Sequence, residues 1–310
     1  MRFATAARPS ATDMIVVRDV ESVRREIAVA RARGEEIALV PTMGALHAGH
    51  LSLVQTACEE CDFVAVSIFV NPSQFGPHED FDKYPRAFDA DLEACRECGV
   101  HLVFVPDVAT IYPDSFSTFV DVEGLSDVLE GRCRPGHFRG VATVVLKLLN
   151  IVQPDVAYFG RKDYQQQAMI RRMCRDLNLQ IDIRVCPTVR EPDGLALSSR
   201  NAFLSREERR SARALSECLR IAESMIVREK AGLDDVRAAM RERLEREPNL
   251  QIDYATIADA ESLEEVTDPV AEMIALVAAR VGKTRLIDNL PIKRPEPGVD
   301  EGLRKSVTGL

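Results

Sequence analysis

The strongest constraint on how this chain can fold is its alternation of two textures. Short runs that are apolar at nearly every position, "IALVP" at 37–41, "FVAVSIFV" at 63–70, "VHLVFVP" at 100–106 and "DVAYFG" at 155–160, are separated by stretches of helical periodicity at 47–61, 87–98 and 139–152, with a further one at 163–177. A strand that is apolar throughout, rather than at every second position, is buried on both faces. Strands of that kind alternating with helices predict a Rossmann-like, doubly wound α/β domain built on a parallel sheet, with "IALV" as its first strand. Such sheets bind ligands beyond the carboxyl ends of their strands, so the residues just after each run become the candidates for function.

From about residue 188 the texture changes. Helical patterns rich in Glu and Arg cover 205–229 and 233–247. "QIDYATIAD" follows, and then "EMIALVAARVGKTRLIDNL", a β-hairpin turning at Gly282-Lys283. The expected organisation is therefore a domain at 1–187, a smaller α+β domain at 188–292 and a disordered polar tail at 293–310. No internal repeat is visible.

With 40 Lys and Arg against 49 Asp and Glu, the formal charge is −9. Affinity for a phosphate backbone rests on clustered cations, so no nucleic-acid partner is expected. No run approaches the ~20 apolar residues of a membrane span. The opening "MRFATAARPSATDM" lacks the apolar core of a signal peptide, which points to a cytoplasmic protein without a membrane partner. The eight cysteines then read as reduced thiols. Cys58 with Cys61 and Cys95 with Cys98 are C-x-x-C pairs, but neither encloses a turn glycine, and both fall at the ends of helical patterns. They read as helix thiols rather than zinc knuckles.

Three strand ends carry distinctive polar residues. After "IALV", Pro41 closes the strand, Thr42 to Ala45 make a turn, and a helix begins near His47 in "VPTMGALHAGHLSLV", 40–54. His47 and His50, three apart, share one face of its first turn. Unpaired amides at a helix start suit an anion, and imidazole N–H groups could donate to phosphate oxygens as charge develops on leaving pyrophosphate. Gly44 allows close approach, and Gly49 leaves room for a flat ring. After "FVAVSIFV" come Asn71, Pro72, Ser73 and Gln74, amides and a hydroxyl suited to an uncharged polar substrate. After "DVAYFG" comes "GRKDYQQ", 160–166. There Lys162 could balance phosphate charge and Asp163 could accept from a ribose hydroxyl, with Gln166 a turn further on. A fourth segment, "REPDGLALSSRN" at 190–201, sets Ser198, Ser199 and Arg200 on a loop able to close over a triphosphate. Rival nucleotide signatures fail. No G-x-G-x-x-G follows a strand, and "GKT" at 282–284 has Val277 where a P-loop needs its first glycine.

H-x-G-H, N-P-x-Q-F, G-x-K-D-x-x-Q and L-S-S-R-N in this order resemble pantothenate synthetase (pantoate–β-alanine ligase), a family of the HIGH/KMSKS nucleotidyltransferase superfamily. "LEGRCRPGHFRGVATVVLKL", 129–148, is similar to that family's long internal signature, and the likeness runs from about residue 15 to 291. The resemblance implies condensation of (R)-pantoate with β-alanine to pantothenate, with ATP giving AMP and diphosphate through a pantoyl adenylate. It implies that Met43, Gly44, Ala45, Leu46, His47, Ala48, Gly49 and His50 bind ATP, with His50 the principal catalytic acid. Gly160, Arg161, Lys162, Asp163, Val189, Leu197, Ser198, Ser199 and Arg200 would complete the ATP site, the last four on the KMSKS-like loop of a lid domain. His47, Lys162 and Arg200 join His50 as catalytic groups, and Gln74 and Gln166 hold pantoate. It further implies Mg2+ on the phosphates, with Asp91 as a candidate ligand, and a homodimer. Arg161 departs from the family pattern, where an acidic residue is expected in many members.

Other classes fit less well. A nucleotidyltransferase acting on a phosphorylated metabolite needs more basic groups than Gln74 and Gln166 supply. A tRNA-charging enzyme would carry an anticodon-binding module. A catalytically dead nucleotide sensor predicts loss of a histidine, Lys162 or Arg200, and all are present.

Overall fold

The strands are β1 Ile15–Val17, β2 Ile37–Thr42, β3 Phe63–Ile68, β4 Leu102–Phe104, β5 Val156–Gly160 and β6 Asp182–Cys186. In the computed structural model, which describes residues 14–76, 81 and 84–293, they form one parallel sheet ordered β1-β4-β3-β2-β5-β6. "IALV" is thus the second strand, not the first. The short β1 precedes it and pairs at the sheet edge with β4. This places β2 between β3 and β5, where successive connections run to opposite sides. That is the switch point at which a doubly wound sheet opens a crevice.

The helices between these strands are α1 Val20–Ala32, α2 Ala48–Glu60, α3 Phe88–Cys98, the one-turn α4 Val108–Ile111 and α5 Glu130–Cys133, α6 His137–Val152 and α7 Tyr164–Asp176. Asp19 caps α1 by accepting the Ser22 amide at 2.8 Å. The sequence of α6 is largely apolar, and most of the helix between Phe138 and Val152 is buried, with Arg139 and Asn150 exposed. Val40, Val66, Val103 and Tyr158 meet Leu53, Val54 and Ala57 of α2 in one core. The helix start that carries the histidines is thereby fixed to the middle of the sheet.

The chain divides into two compact units. The first extends to Val189 and includes Leu197–Ser199; the second comprises Arg190–Ala196 and the chain from Arg200 onward. In the second, α8 Arg206–Ser224 runs into a π-helical turn at Met225–Glu229, followed by α9 Leu233–Glu245. Ser205 and Glu208 form a reciprocal capping box at the start of α8, at 3.2 and 2.8 Å. Strands β7 Leu250–Asp259, β8 Glu272–Val281 and β9 Thr284–Lys293 make an antiparallel sheet in that order. The hairpin turns at Gly282-Lys283 as expected, with Gly282 at φ 57°. Lys293, the first residue assigned to the tail, ends β9, and 294–310 lie outside the described residues. Among the described residues, no helix is long and apolar enough to cross a membrane.

Candidate active site

Beyond the carboxyl end of β2 the chain makes a tight left-handed turn, with Gly44 at φ 80° and Ala45 at φ 51°. A non-glycine residue adopts that conformation only when its surroundings enforce it. Here the enforcing group is Asp91 of α3, 3 % exposed. Its carboxylate accepts the Ala45 amide at 2.9 Å and the Leu46 amide at 2.7 Å. A Cβ on Gly44 would stand 2.9 Å from the same carboxylate and 3.0 Å from Ile68, so only glycine fits. Asp91, expected as a magnesium ligand, is therefore buried and committed to the turn. Among the described residues, no group of three or more His, Cys, Asp or Glu side chains is placed to hold a metal ion.

The two histidines cap α2 reciprocally. His47 is the N-cap, and its Nδ1 accepts the Gly49 amide at 3.1 Å, while His50 Nδ1 accepts the His47 amide at 3.4 Å. The rings stack with centroids 4.0 Å apart. A backbone N–H can only donate, so both Nδ1 atoms are acceptors, and each neutral ring carries its hydrogen on Nε2. Burial, followed by the charge of Lys162, pushes His47 below the usual imidazole range. Burial, followed by the proximity of His47, pushes His50 down to about 4. Both rings are uncharged near neutral pH. What each uncharged ring leaves outside the capping box is its Nε2–H, a hydrogen-bond donor.

Much of the backbone at this helix start is engaged within the protein. The amides of Gly44, Ala45, Leu46, His47, Gly49 and His50 all donate within the protein. The imidazoles, more than a ring of open amides, are what the turn presents. Gly49 has a definite steric role, since a Cβ there would lie 2.9 Å from the His47 ring. The flat ring it makes room for is His47 itself.

At the end of β5, Gly160 leads into Arg161, whose amide donates to Cys186 at 2.9 Å. Lys162 and Asp163 lie close enough to His47 and His50 to act on their titration. The G-x-K-D turn and the H-x-G-H turn are thus neighbours across the switch point. Asp163 is the exposed N-cap of α7 and makes no side-chain capping bond. Next along α7, the buried Gln165 accepts the Glu130 amide at 3.0 Å and donates to the carbonyls of Leu125 and Val128 at 2.6 and 2.8 Å. It braces the 125–130 segment, while Gln166, expected to bind substrate, is half-buried.

After β3, Pro72–Gln74 form a 3-10 turn capped by Asn71, itself 1 % exposed. The Gln74 amide accepts from Asn71 at 3.1 Å and donates to the Met43 sulfur at 2.9 Å, tying this turn to the histidine turn. Sequence reasoning missed the supports. Tyr112 donates to Asn71 at 2.8 Å and lies 2.9 Å from the Ser73 hydroxyl. His137 Nδ1 is 2.9 Å from the Gln74 carbonyl, and its Nε2 is 3.0 Å from Arg134. An Arg N–H can only donate, so Nε2 accepts and Nδ1–H donates to Gln74. Apart from Arg134, three positions from His137, their partners are a backbone carbonyl or side chains 39 to 63 positions away, which no local pattern reveals.

Val189 and Leu197 are joined by the Leu197 amide at 2.9 Å, and Leu197 packs towards Gly49, 3.7 Å from where a Cβ would be. His47, His50, Lys162, Ser198 and Ser199 belong to the first unit, and Arg200 to the second. Within the second unit, Asn201 is the structural member of L-S-S-R-N. It donates to Glu191 at 2.9 Å and to the Ala196 carbonyl at 3.1 Å, and Arg209 grips Glu191 and Asp193.

The pantoate-beta-alanine ligase family model matches residues 15–291. The chain is 51% identical over 276 residues to pantothenate synthetase from Syntrophotalea carbinolica, covering 89% of this chain and 98% of that one. With the Moorella thermoacetica pantothenate synthetase it shares 50% over 280 residues, 90% and 99% of the two chains. The crystal structure of pantothenate synthetase from Thermus thermophilus superposes with a TM-score of 0.85 at 45% identity, over 89% of this chain and 99% of that one. The Francisella tularensis pantoate-beta-alanine ligase, complexed with beta-gamma ATP and beta-alanine, gives 0.72 at 34% identity, over 89% and 97%. Coverage this complete, on a sheet whose switch point holds the matching motifs, makes the chain a member of the pantoate–β-alanine ligase family.

Proposed function

We propose that this enzyme forms pantothenate by adenylating pantoate with ATP and then transferring the pantoyl group to β-alanine. The observation that carries this reading is the pair of neutral imidazoles at the sheet's switch point, each with Nε2–H unused by the capping box and with Lys162 nearby. A pantoate carboxylate oxygen attacks the α-phosphorus of ATP, and the bond from that phosphorus to the bridging oxygen breaks. Negative charge grows on the departing diphosphate, where His47, His50, Lys162 and Arg200 stabilise it. Neutral donors suit this step because they need not lose a proton to act. Met43 to His50, Gly160 to Asp163, Val189 and Leu197 to Arg200 hold ATP; the loop carrying Ser198, Ser199 and Arg200 acts as a lid. Gln74 and Gln166 hold pantoate, consistent with a Gln74 amide fixed beside Met43.

In the second step the β-alanine amine attacks the acyl carbon, and the bond from that carbon to the phosphate-linked oxygen breaks. AMP leaves with that oxygen, and the nitrogen keeps one hydrogen as the amide N–H and releases the rest to solvent. No covalent enzyme intermediate is required. Magnesium would come with the triphosphate and would supply charge neutralisation on the phosphates. Among the described residues no side-chain cluster builds a dedicated site for it, and no step is assigned to it. By the same family resemblance the chain acts as a cytoplasmic homodimer.

Pantoate labelled with heavy oxygen in its carboxylate tests the chemistry. One label should pass to AMP, and diphosphate should appear before β-alanine is added. ADP together with labelled inorganic phosphate would show an acyl-phosphate route and overturn the proposal.

A further inference from the structure

We infer that Asp91 is a positioning residue for the reaction, acting through the backbone of the histidine turn. The inference rests on the donor role proposed above for His47 and His50. Three observations meet at this carboxylate. It is buried, both of its oxygens accept backbone amides, at 2.9 and 2.7 Å, and those amides belong to adjacent residues, Ala45 and Leu46. The first is held at φ 51°, a conformation alanine does not keep unaided. The second precedes His47, the N-cap of α2.

The consequence for the histidines is geometric. Each imidazole is oriented by a backbone amide, the Gly49 amide for His47 and the His47 amide for His50. The path of the chain into His47 therefore decides where both Nε2–H groups point. Two acceptors fixed on one rigid group hold two successive N–H vectors at once, which a single hydrogen bond would not do. The carboxylate comes from the first half of α3, a helix packed on α2 in the same core through Cys95. The turn is thus clamped from α3 while the histidines are presented by α2.

An isosteric amide separates this role from simple space-filling. In Asp91→Asn one oxygen still accepts, but the NH2 group now faces the second backbone N–H, donor against donor. The expected result is a fall in turnover of about 10-fold or more, smaller than the ~100-fold that losing a donor outright costs, because the donors are displaced rather than removed. The KM for ATP should change little, while the unfolding midpoint falls because a buried amide loses its acceptor. Nitrogen NMR of the imidazoles supplies a readout that a structural role alone would not move. The wild type should show both rings as the Nε2–H tautomer, and Asp91→Asn a mixture in at least one. Asp91→Glu keeps the charge but displaces it by one methylene, so it should show the same signature even if the Asn variant folds poorly. Asp107→Asn is the control, because Asp107 caps α4 by accepting the Thr110 amide at 2.7 Å and faces solvent. It should leave tautomers and turnover unchanged. If His50→Ala loses turnover while folded Asp91→Asn and Asp91→Glu keep wild-type turnover and tautomers, the positioning role is wrong and the donor role stands. If His50→Ala itself is active, the donor role fails first.

Discussion

One hydrogen, on His50 Nε2, is asked to do most of the work at the histidine turn. Removing it in His50→Ala should lower turnover by about 100-fold or more, as loss of a transition-state donor does, with a much smaller change in ATP affinity. Near-normal turnover in that variant would contradict the assignment. The pH behaviour is equally specific. The folded pKa is depressed from 6.5 to about 4, so the neutral ring is the form the fold prefers. Its contribution to stability is complete above 6.5 and is lost as pH falls through about 4. The acid limb of the turnover profile due to His50 should therefore lie well below 6, and denaturant titrations of His50→Gln should lose less stability than wild type between pH 6.5 and 4. An acid limb at 6 to 7 that His50→Gln abolishes would mean a charged imidazolium at work. At this scale the sequence revealed the histidines and Lys162, because their spacing after strands is itself the signal. The partners that Asp91 has in the fold were not legible, since they are main-chain amides 45 and 46 positions away that carry no side-chain signature.

Elements were legible where burial was complete and obscure where it was partial. The inner strands β2, β3 and β5 stand out because helices cover both faces. β1 and β6 are edge strands; the first has three residues and the second alternates exposed and half-buried positions. Neither presents the continuous apolar run that marks a doubly covered strand. The turn after β3 illustrates how one element can hold another. A Cβ on Gly140 of α6 would lie 2.2 Å from the Ser73 carbonyl, so α6 meets the Pro72–Gln74 turn backbone to backbone. Gly140→Ala must push that turn away and is expected to cost about 1–3 kcal/mol through overpacking. It should raise the KM for pantoate more than that for ATP, in the same sense as Gln74→Ala, which removes the amide directly. Steady-state kinetics with each substrate varied in turn, alongside thermal unfolding, checks both variants. Equal effects on the two KM values would point to a general defect rather than to the substrate turn.

Over the whole molecule, sequence texture predicted a parallel sheet followed by an α+β unit, and the fold has both. What texture could not supply was how the L-S-S-R stretch is apportioned, with Ser199 in the first unit and Arg200 in the second. That depends on tertiary anchors such as Asn201 rather than on local composition. The cysteines pose a chain-wide question of the same kind. Cys58 lies in α2 and Cys61 caps it, while Cys95 and Cys98 lie in α3, so neither C-x-x-C pair forms a metal knuckle. Burial pushes the thiols of Cys95 and Cys218 up to about 12 and that of Cys174 up to about 11, and it raises Cys61, Cys98 and Cys186 as well. Only a thiolate ligates a metal or attacks an electrophile readily, so these groups should be slow in both reactions. Cys133 alone among the eight is exposed. Brief treatment of the native protein with iodoacetamide near pH 7.5 should therefore give mainly one adduct per chain, mapped to Cys133 by mass spectrometry. Elemental analysis of untagged protein should find no stoichiometric zinc. One zinc per chain, lost in a variant carrying Cys58→Ser and Cys95→Ser, would mean that the two helices open to form a site their packing does not show. Rapid modification of Cys95 or Cys218 would likewise mean that the folded chain exposes its core far more often than this burial allows.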